Sequence, residues 1–307
     1  MDIQYFLRRV IQAIPLLFLA SFVVFLLIHI TPGDPVRLML GEQSSEEKVA
    51  AVRAALGLDR SLPEQYLRFL GRAIRGDLGM SIRAVRPVTE LVRLAFPATL
   101  ELAGATMLLA VAVGLPVGVL AGLRPGSLFD SLALLFALLG QSIPSFWLGL
   151  NFIVLFALKW RLLPTSGRGE LKHLIMPACA LAPHLIGLII RITRTSFIEV
   201  LRQDYIRTAY AKGLRPSFVL SRHAFKNAMI PVVTVIGLQT GALLGGAVIT
   251  ETVFAWPGAG QLAVNALYTR DYPVVQGVVL ISALVFVVIN LLVDFMYAIF
   301  DPRVRYQ

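Results

Sequence analysis

Eight basic residues (Arg191, Arg194, Arg202, Arg207, Lys212, Arg215, Arg222 and Lys226) lie between Arg191 and Asn227, against two acids, Glu199 and Asp204. They supply six of the chain's ten net positive charges and sit between two long apolar runs. No paired carboxylates, nucleophile or metal-ligand spacing accompanies them, so the segment suggests a docking surface rather than bond-making. Hydrocarbon is a costly surrounding for so many charges, which places the segment outside a bilayer core. Gly213 is positioned to end one helix and Pro216 to open the next. The pattern predicts a short helix over about 200–212, a corner, and a second helix over 217–229.

Other chemistry-bearing residues are dispersed. Glu101, Gln141, Asn151, His184, Gln239, Glu251, Asn290 and Asp294 fall within or beside apolar stretches, where polar groups are costly unless paired or facing water. Of these, Gln239 and Glu251 are the candidates for a polar pathway or gate, and Asp294 is expected to pair with Arg191 or Arg194. Trp256, Pro257 and Gly258, after Glu251, predict a bend at an interface. No G-x-x-x-x-G-K-[ST] phosphate loop occurs, so ATP hydrolysis by this chain is not expected. The four histidines are scattered with no H-E-x-x-H or C-x-x-C, which gives no metal site, and no catalytic residue is assigned. The single cysteine, Cys179, permits no intrachain disulfide.

The elements that position these residues are apolar. At 57% hydrophobic and a mean hydropathy of +0.76, the 307-residue chain is an integral membrane protein. The basic residues flank apolar spans, which reads as topology rather than nucleic-acid binding. Six spans are expected: Val10–Ile30, Thr99–Leu123, Ser131–Leu158, Leu174–Ile192, Met229–Thr250 and Val274–Phe300. Residues 1–30 form the first span and 31–97 an extracytoplasmic helical loop. A five-helix core follows over 98–300, containing the cytoplasmic loop 199–228, and 301–307 form a cytoplasmic tail. Thirteen Lys and Arg then lie in the cytoplasmic loops and ends and five in the two short outer loops, which sets both termini in the cytoplasm. The outer loop holds ten basic and eight acidic residues, with helices expected from Ser44 to near Gly57 and over Glu64–Arg75. It is either a cap on the spans or a surface for a partner protein. Two ladders of small residues, Gly114/Gly118/Gly122 and Gly237/Gly241/Gly245, recur every fourth position and let helix backbones approach closely. Static packing is the simpler role for these faces, and sliding during alternating access the sharper one.

The strings YIRTAYAKGL and RHAFKNAMIP resemble the cytoplasmic coupling loop of ABC-importer permeases. The general form has Glu-Ala-Ala, a later Gly and Ile-x-Leu-Pro. Arg207 and Thr208 stand here for the Glu and first Ala, Ala209 for the second Ala and Gly213 for the Gly. His223, Phe225 and Lys226 fall at the Ile, Leu and Pro positions. Further segments, among them IHITPGDPV, GDLGMSIR, PVGVLAGLRPGSLFD, SIPSFWLG, TETVFAWPGAGQL and NLLVDFMYAIFDPRVRY, resemble the permeases of the dipeptide, oligopeptide, nickel and glutathione branch in order along the chain.

That resemblance implies a type I ABC importer permease fold in a bacterial inner membrane. It implies as partners a second homologous permease, two ABC ATPase subunits and an extracytoplasmic substrate-binding protein, with ATP and magnesium held by the ATPases and no cofactor in this chain. Coupling residues are expected at Asp204, Arg207, Thr208, Ala209, Lys212, Gly213, Arg222, His223 and Lys226. Dipeptides or short oligopeptides are the expected substrates, with glutathione, heme or a nickel chelate as alternatives. An ion-driven secondary transporter is a rival class, but neither inverted repeats nor a mid-membrane ionisable relay is evident. A non-transporting scaffold is a second rival, needing neither the glycine ladders nor an ATPase partner.

Overall fold

The computed structural model describes residues 3–30, 36–37, 44–56 and 58–300. Among them every regular element is helical, with one isolated bridge between Met80 and Pro87. Helix α1 (Ile3–Ile30) leads to α2 (Glu46–Leu56) and α3 (Leu62–Ile74). Helix α2 begins with Glu46 and Glu47 in its first turn, where acids favour the helix dipole. Helix α4 (Val88–Leu123) starts well before the expected Thr99 and runs through Pro97. At 36 residues it is about 54 Å long, far more than a bilayer core needs, so its charged first turns extend the helix beyond the apolar span.

The expected single span over 131–158 is instead broken. Helix α5 (Leu128–Ser142) stops where Ile143 turns extended, as the residue before a proline does, and α6 (Ser145–Phe152) departs after Pro144 at 90°. Helix α6 continues as the wide turn Ile153–Lys159. Helix α7 (Leu171–Leu201) is followed by α8 (Asp204–Ala211) and by α9 (Pro216–Phe218), which passes through the wide turn Val219–Ala224 into α10 (Phe225–Gly246). The second corner helix is therefore the first part of a crossing helix, and Val200 and Leu201 belong to α7 rather than to the first corner helix. Helices α11 (Val248–Val253), α12 (Ala259–Tyr268) and α13 (Tyr272–Phe300) complete the chain. Among the described residues four helices are long and apolar enough to cross a bilayer, and the bent α5–α6 pair makes a fifth. The apolar run of α1, Ile11–Leu26, is shorter.

Helix α7 is central because small residues let its neighbours approach. A Cβ on Gly114, Gly118 or Gly122 of α4 would lie 3.0, 2.6 or 2.8 Å from the Cβ of Ile189, Thr193 or Phe197 of α7. The first ladder is thus the α4–α7 seam. A second close crossing, α5 on α7, rests on Gly140 against the Pro183 carbonyl and Gly187 against the Ala137 carbonyl. In the other ladder Gly241 receives the Phe286 ring of α13 and Gly237 is buried, while the surroundings of Gly245 lie outside the described residues. Ala98, Leu102, Met107, Leu185, Ile189, Leu243 and Trp256 fill the core among α4, α7 and α10.

Candidate functional site

The basic loop folds as a bracket on the ends of α7 and α10. Ile206 and Ala209 of α8 are buried against Val219 and Ala224, with Val200, Leu201 and Leu220 at the margin. Gly213 sits at φ +76°, and its amide donates to the Tyr210 carbonyl at 2.9 Å, closing α8 as left-handed glycine caps do. The Asn227 amide of α10 donates to the Tyr205 hydroxyl at 2.8 Å and ties the bracket down. Asp204, Arg207, Thr208, Lys212, Gly213, Arg222 and Lys226 are exposed, and His223 is half-buried with its ring edge-on to Phe218. Ala209, among the expected coupling residues, points into the bracket's own core, because it follows Ile206 by three positions. Exposed Tyr205, Tyr210, Leu214 and Phe218 lie among the basic residues.

Arg194, one turn and a half before the bracket, binds Asp130 at the start of α5. Its Nε and Nη2 both donate to the carboxylate, the second at 2.7 Å, and the Gly126 amide donates to Oδ2 at 2.8 Å. Asp130 is 3% and Arg194 22% exposed, a nearly buried bidentate pair. Arg194 therefore has a partner at Asp130, whereas the expected pairing of Asp294 falls on a side chain outside the described residues.

The same helices reach a cavity of about 370 Å³ at the α5–α6 break. Gln141, Ser142 and Ser145 come from the break, His184 from α7 and Gln239 from α10. Gln239 lines this polar-edged cavity. Glu251 does not join it. The Glu251 carboxylate, fully buried, accepts from the Thr99 hydroxyl at 2.6 Å and the Gln261 amide at 2.9 Å, at the amino end of α12. Thr99 in turn accepts from the Ala259 amide, and the Trp256 indole donates to the Ala98 carbonyl, each at 2.8 Å. A Cβ on Gly258 or Gly260 would strike that carboxylate. Glu251 is therefore a structural knot between α4 and α12 in this conformation, which corrects its expected place on the pathway.

Two further ties hold the opposite end of the bundle. Buried Asp271 accepts from the Ser81 hydroxyl and from the Ile82 and Arg83 amides at 3.1 and 3.2 Å. Arg168 binds Glu101 of α4 at 2.6 Å. Among the described residues no group of three His, Cys, Asp or Glu could hold a metal ion.

Residues 114–306 match the model of the binding-protein-dependent transport system inner membrane component, and residues 2–103 match the N-terminal model of such membrane components. The chain belongs to this family. It is 44% identical to a dipeptide transport system permease protein of Escherichia coli K12, a match covering 99% of both chains. It is 42% identical to a glutathione transport system permease protein of Pectobacterium atrosepticum, over 99% of this chain and all of that one. The structure is also similar to that of the MetNI methionine ABC transporter in an inward-facing conformation, with a TM-score of 0.56 at 20% identity over 69% of this chain and 96% of that one. This permease thus shares its helical fold with an ABC transporter of known structure.

Sequence reasoning missed Asp130, Asp271, Thr99 and the Gly140–Gly187 crossing. Only the last had a local signal, an isolated glycine inside each apolar helix.

Proposed function

We propose that this chain is one of two permease subunits of an ATP-driven importer that takes up dipeptides or short oligopeptides delivered by a substrate-binding protein. In this reading six spans cross the inner membrane with both termini cytoplasmic, and two ABC ATPase subunits carry the ATP and magnesium. The carrying observation is that the two helices framing the basic bracket, α7 and α10, also wall the cavity through His184 and Gln239. Leu201 and His184 are about 25 Å apart along α7, so a push on the bracket is delivered to the cavity wall by a rigid rod. ATP binding would draw the ATPases together, the bracket would follow through its aromatic and basic face, and the cavity would change the side it opens to. The glycine seams are the faces along which helices could slide.

A second reading, glutathione as substrate, is favoured by chain length. The match to the dipeptide permease spans 337 positions, thirty more than this chain has residues, whereas the match to the glutathione permease closes in 305. The decisive experiment is reconstitution of the assembled complex with its binding protein, measuring ATPase stimulation and uptake for dipeptides, tripeptides and glutathione. An intact preparation of this chain without an ATPase pair would overturn the importer reading itself.

A further inference from the structure

Helix α3 is sharply two-sided. Glu64, Arg68, Arg72 and Arg75 follow one another at helical spacing, while Leu62, Tyr66, Phe69, Leu70 and Ala73 run along the other side. None of its thirteen residues is buried: Tyr66, Phe69, Leu70 and Ala73 are half-buried, and Leu62, with Leu67 and Ile74 at the margin of that side, is exposed, at 51, 64 and 75% respectively. A helix standing in water does not leave such a face open without a partner. The contacts it makes are to α1: the Tyr66 hydroxyl lies 2.9 Å from Ser21 Oγ, and its ring meets Phe22 and Phe25 edge-on.

Those contacts fix its depth. The Gln276 amide donates to the Val24 carbonyl at 2.9 Å, so Val24 is level with the first turns of α13. Helix α1 runs opposite to α13, so Ser21 and Phe18 lie about 5 and 9 Å deeper toward the bilayer middle. That is the level of an amphipathic helix seated at the boundary of headgroups and acyl chains. Beneath α3 opens an apolar cavity of about 420 Å³, bounded by Phe18 and Ser21, by Ala73 and Ile74, and by Leu280 and Leu284 of α13. Arg72 and Arg75, flanking Ala73 and Ile74, are exposed and have no acidic partner among the described residues, whereas Arg68 reaches Glu64 at 3.5 Å.

We propose that α3 is an interfacial helix that binds one anionic phospholipid, with an acyl chain in the cavity beneath Ala73 and Ile74 and the phosphate on Arg72 and Arg75. The site rests on the chain being embedded in a bilayer and not on the transport reading. The competing occupant of the face is another protein subunit, which would exclude both lipid and water.

The test places Ile74→Trp in the assembled complex in nanodiscs made with acyl-brominated phosphatidylglycerol or acyl-brominated phosphatidylcholine. The unsubstituted complex gives the background of the native tryptophans. Bromine quenching of the added fluorescence is expected in both lipids and at lower mole fraction in phosphatidylglycerol, by about fivefold for each arginine engaged at low salt. Arg72→Gln with Arg75→Gln should abolish that preference while acyl quenching persists. Quenching by aqueous iodide but not by bromolipid would overturn the proposal, as would quenching by neither, which marks a face covered by protein. Equal quenching by the two lipids would overturn the anionic site. Copurification of the ATPases, measured on the same samples, reports separately on the transport reading.

Discussion

Gln239 and Glu251 look alike as polar residues in apolar sequence, yet Gln239 lines a cavity while Glu251 is fully buried among hydrogen-bond donors. Glu251→Ala would strand the buried Thr99 hydroxyl, a donor worth about 1–3 kcal/mol when unsatisfied, and the half-buried Gln261 amide, which costs less. The expected result is a lower unfolding temperature of the purified complex, restored only in part in Glu251→Gln, whose single carbonyl oxygen accepts from one of the two donors. Gln239→Ala should leave that temperature unchanged and alter the concentration dependence of uptake. The opposite pattern would return Glu251 to the pathway. Gly213 makes a third residue-level case. A Cβ there would meet nothing within 4 Å, so only the backbone at φ +76° objects. Gly213→Val should cost about 1–2 kcal/mol locally, lower substrate-stimulated ATPase activity and spare membrane insertion. Gly213→Asn, which tolerates the left-handed region, should retain most of the coupling. The position of Gly213 was readable in sequence because left-handed caps favour one residue type. The role of Glu251 was not, because its partner Thr99 is 152 residues away and nothing local marks the pair.

Among the helices, what decides the effect of a glycine is what faces it. Gly104 and Gly118 share α4, but a Cβ on Gly104 meets nothing within 4 Å, whereas one on Gly118 lies 2.6 Å from Thr193 Cβ. Gly104→Ala should leave stability unchanged or raise it by up to about 1 kcal/mol, from helix propensity. Gly118→Leu should separate α4 from α7 and reduce assembly, read as the yield of intact complex. The fourfold spacing made the α4–α7 seam legible. The α5–α7 crossing was not, since one glycine on each helix makes no period. The broken third span was hidden for a related reason: α5 and α6 are both apolar, so composition carries across Pro144 without a change. The Arg194–Asp130 pair ties the start of α5 to α7 just before the bracket. Asp130→Asn leaves a nearly buried guanidinium short of its counter-charge and should destabilise the complex by a few kcal/mol. The exchanged pair Asp130→Arg with Arg194→Asp should recover part of that loss, whereas independent roles would make the two losses add.

At the scale of the whole molecule, both ends of the bundle are fastened by acids to backbone or side-chain donors far along the chain. At one end Asp130 joins α5 to α7, and at the other Asp271 joins the 81–83 turn to the start of α13. The bracket and the 81–83 turn therefore sit at opposite ends of the bundle, so a signal from one surface to the other travels along the packed helices between them, α4 against α7 or α10 against α13. On the proposed orientation the 81–83 turn faces the substrate-binding protein. Asp271 also starts α13, its carbonyl accepting from the Val274 amide at 3.1 Å, so the carboxylate can be removed while this backbone cap stays. Asp271→Ala should free the turn, increasing its cleavage by an added protease, while the bracket and the basal ATPase rate stay as they were. If the turn transmits docking of the binding protein, stimulation of ATPase activity by the loaded binding protein should fall several-fold in the same variant. Full stimulation together with a cleavable turn would restrict Asp271 to holding the fold and would move the receiving surface for the binding protein elsewhere on that end.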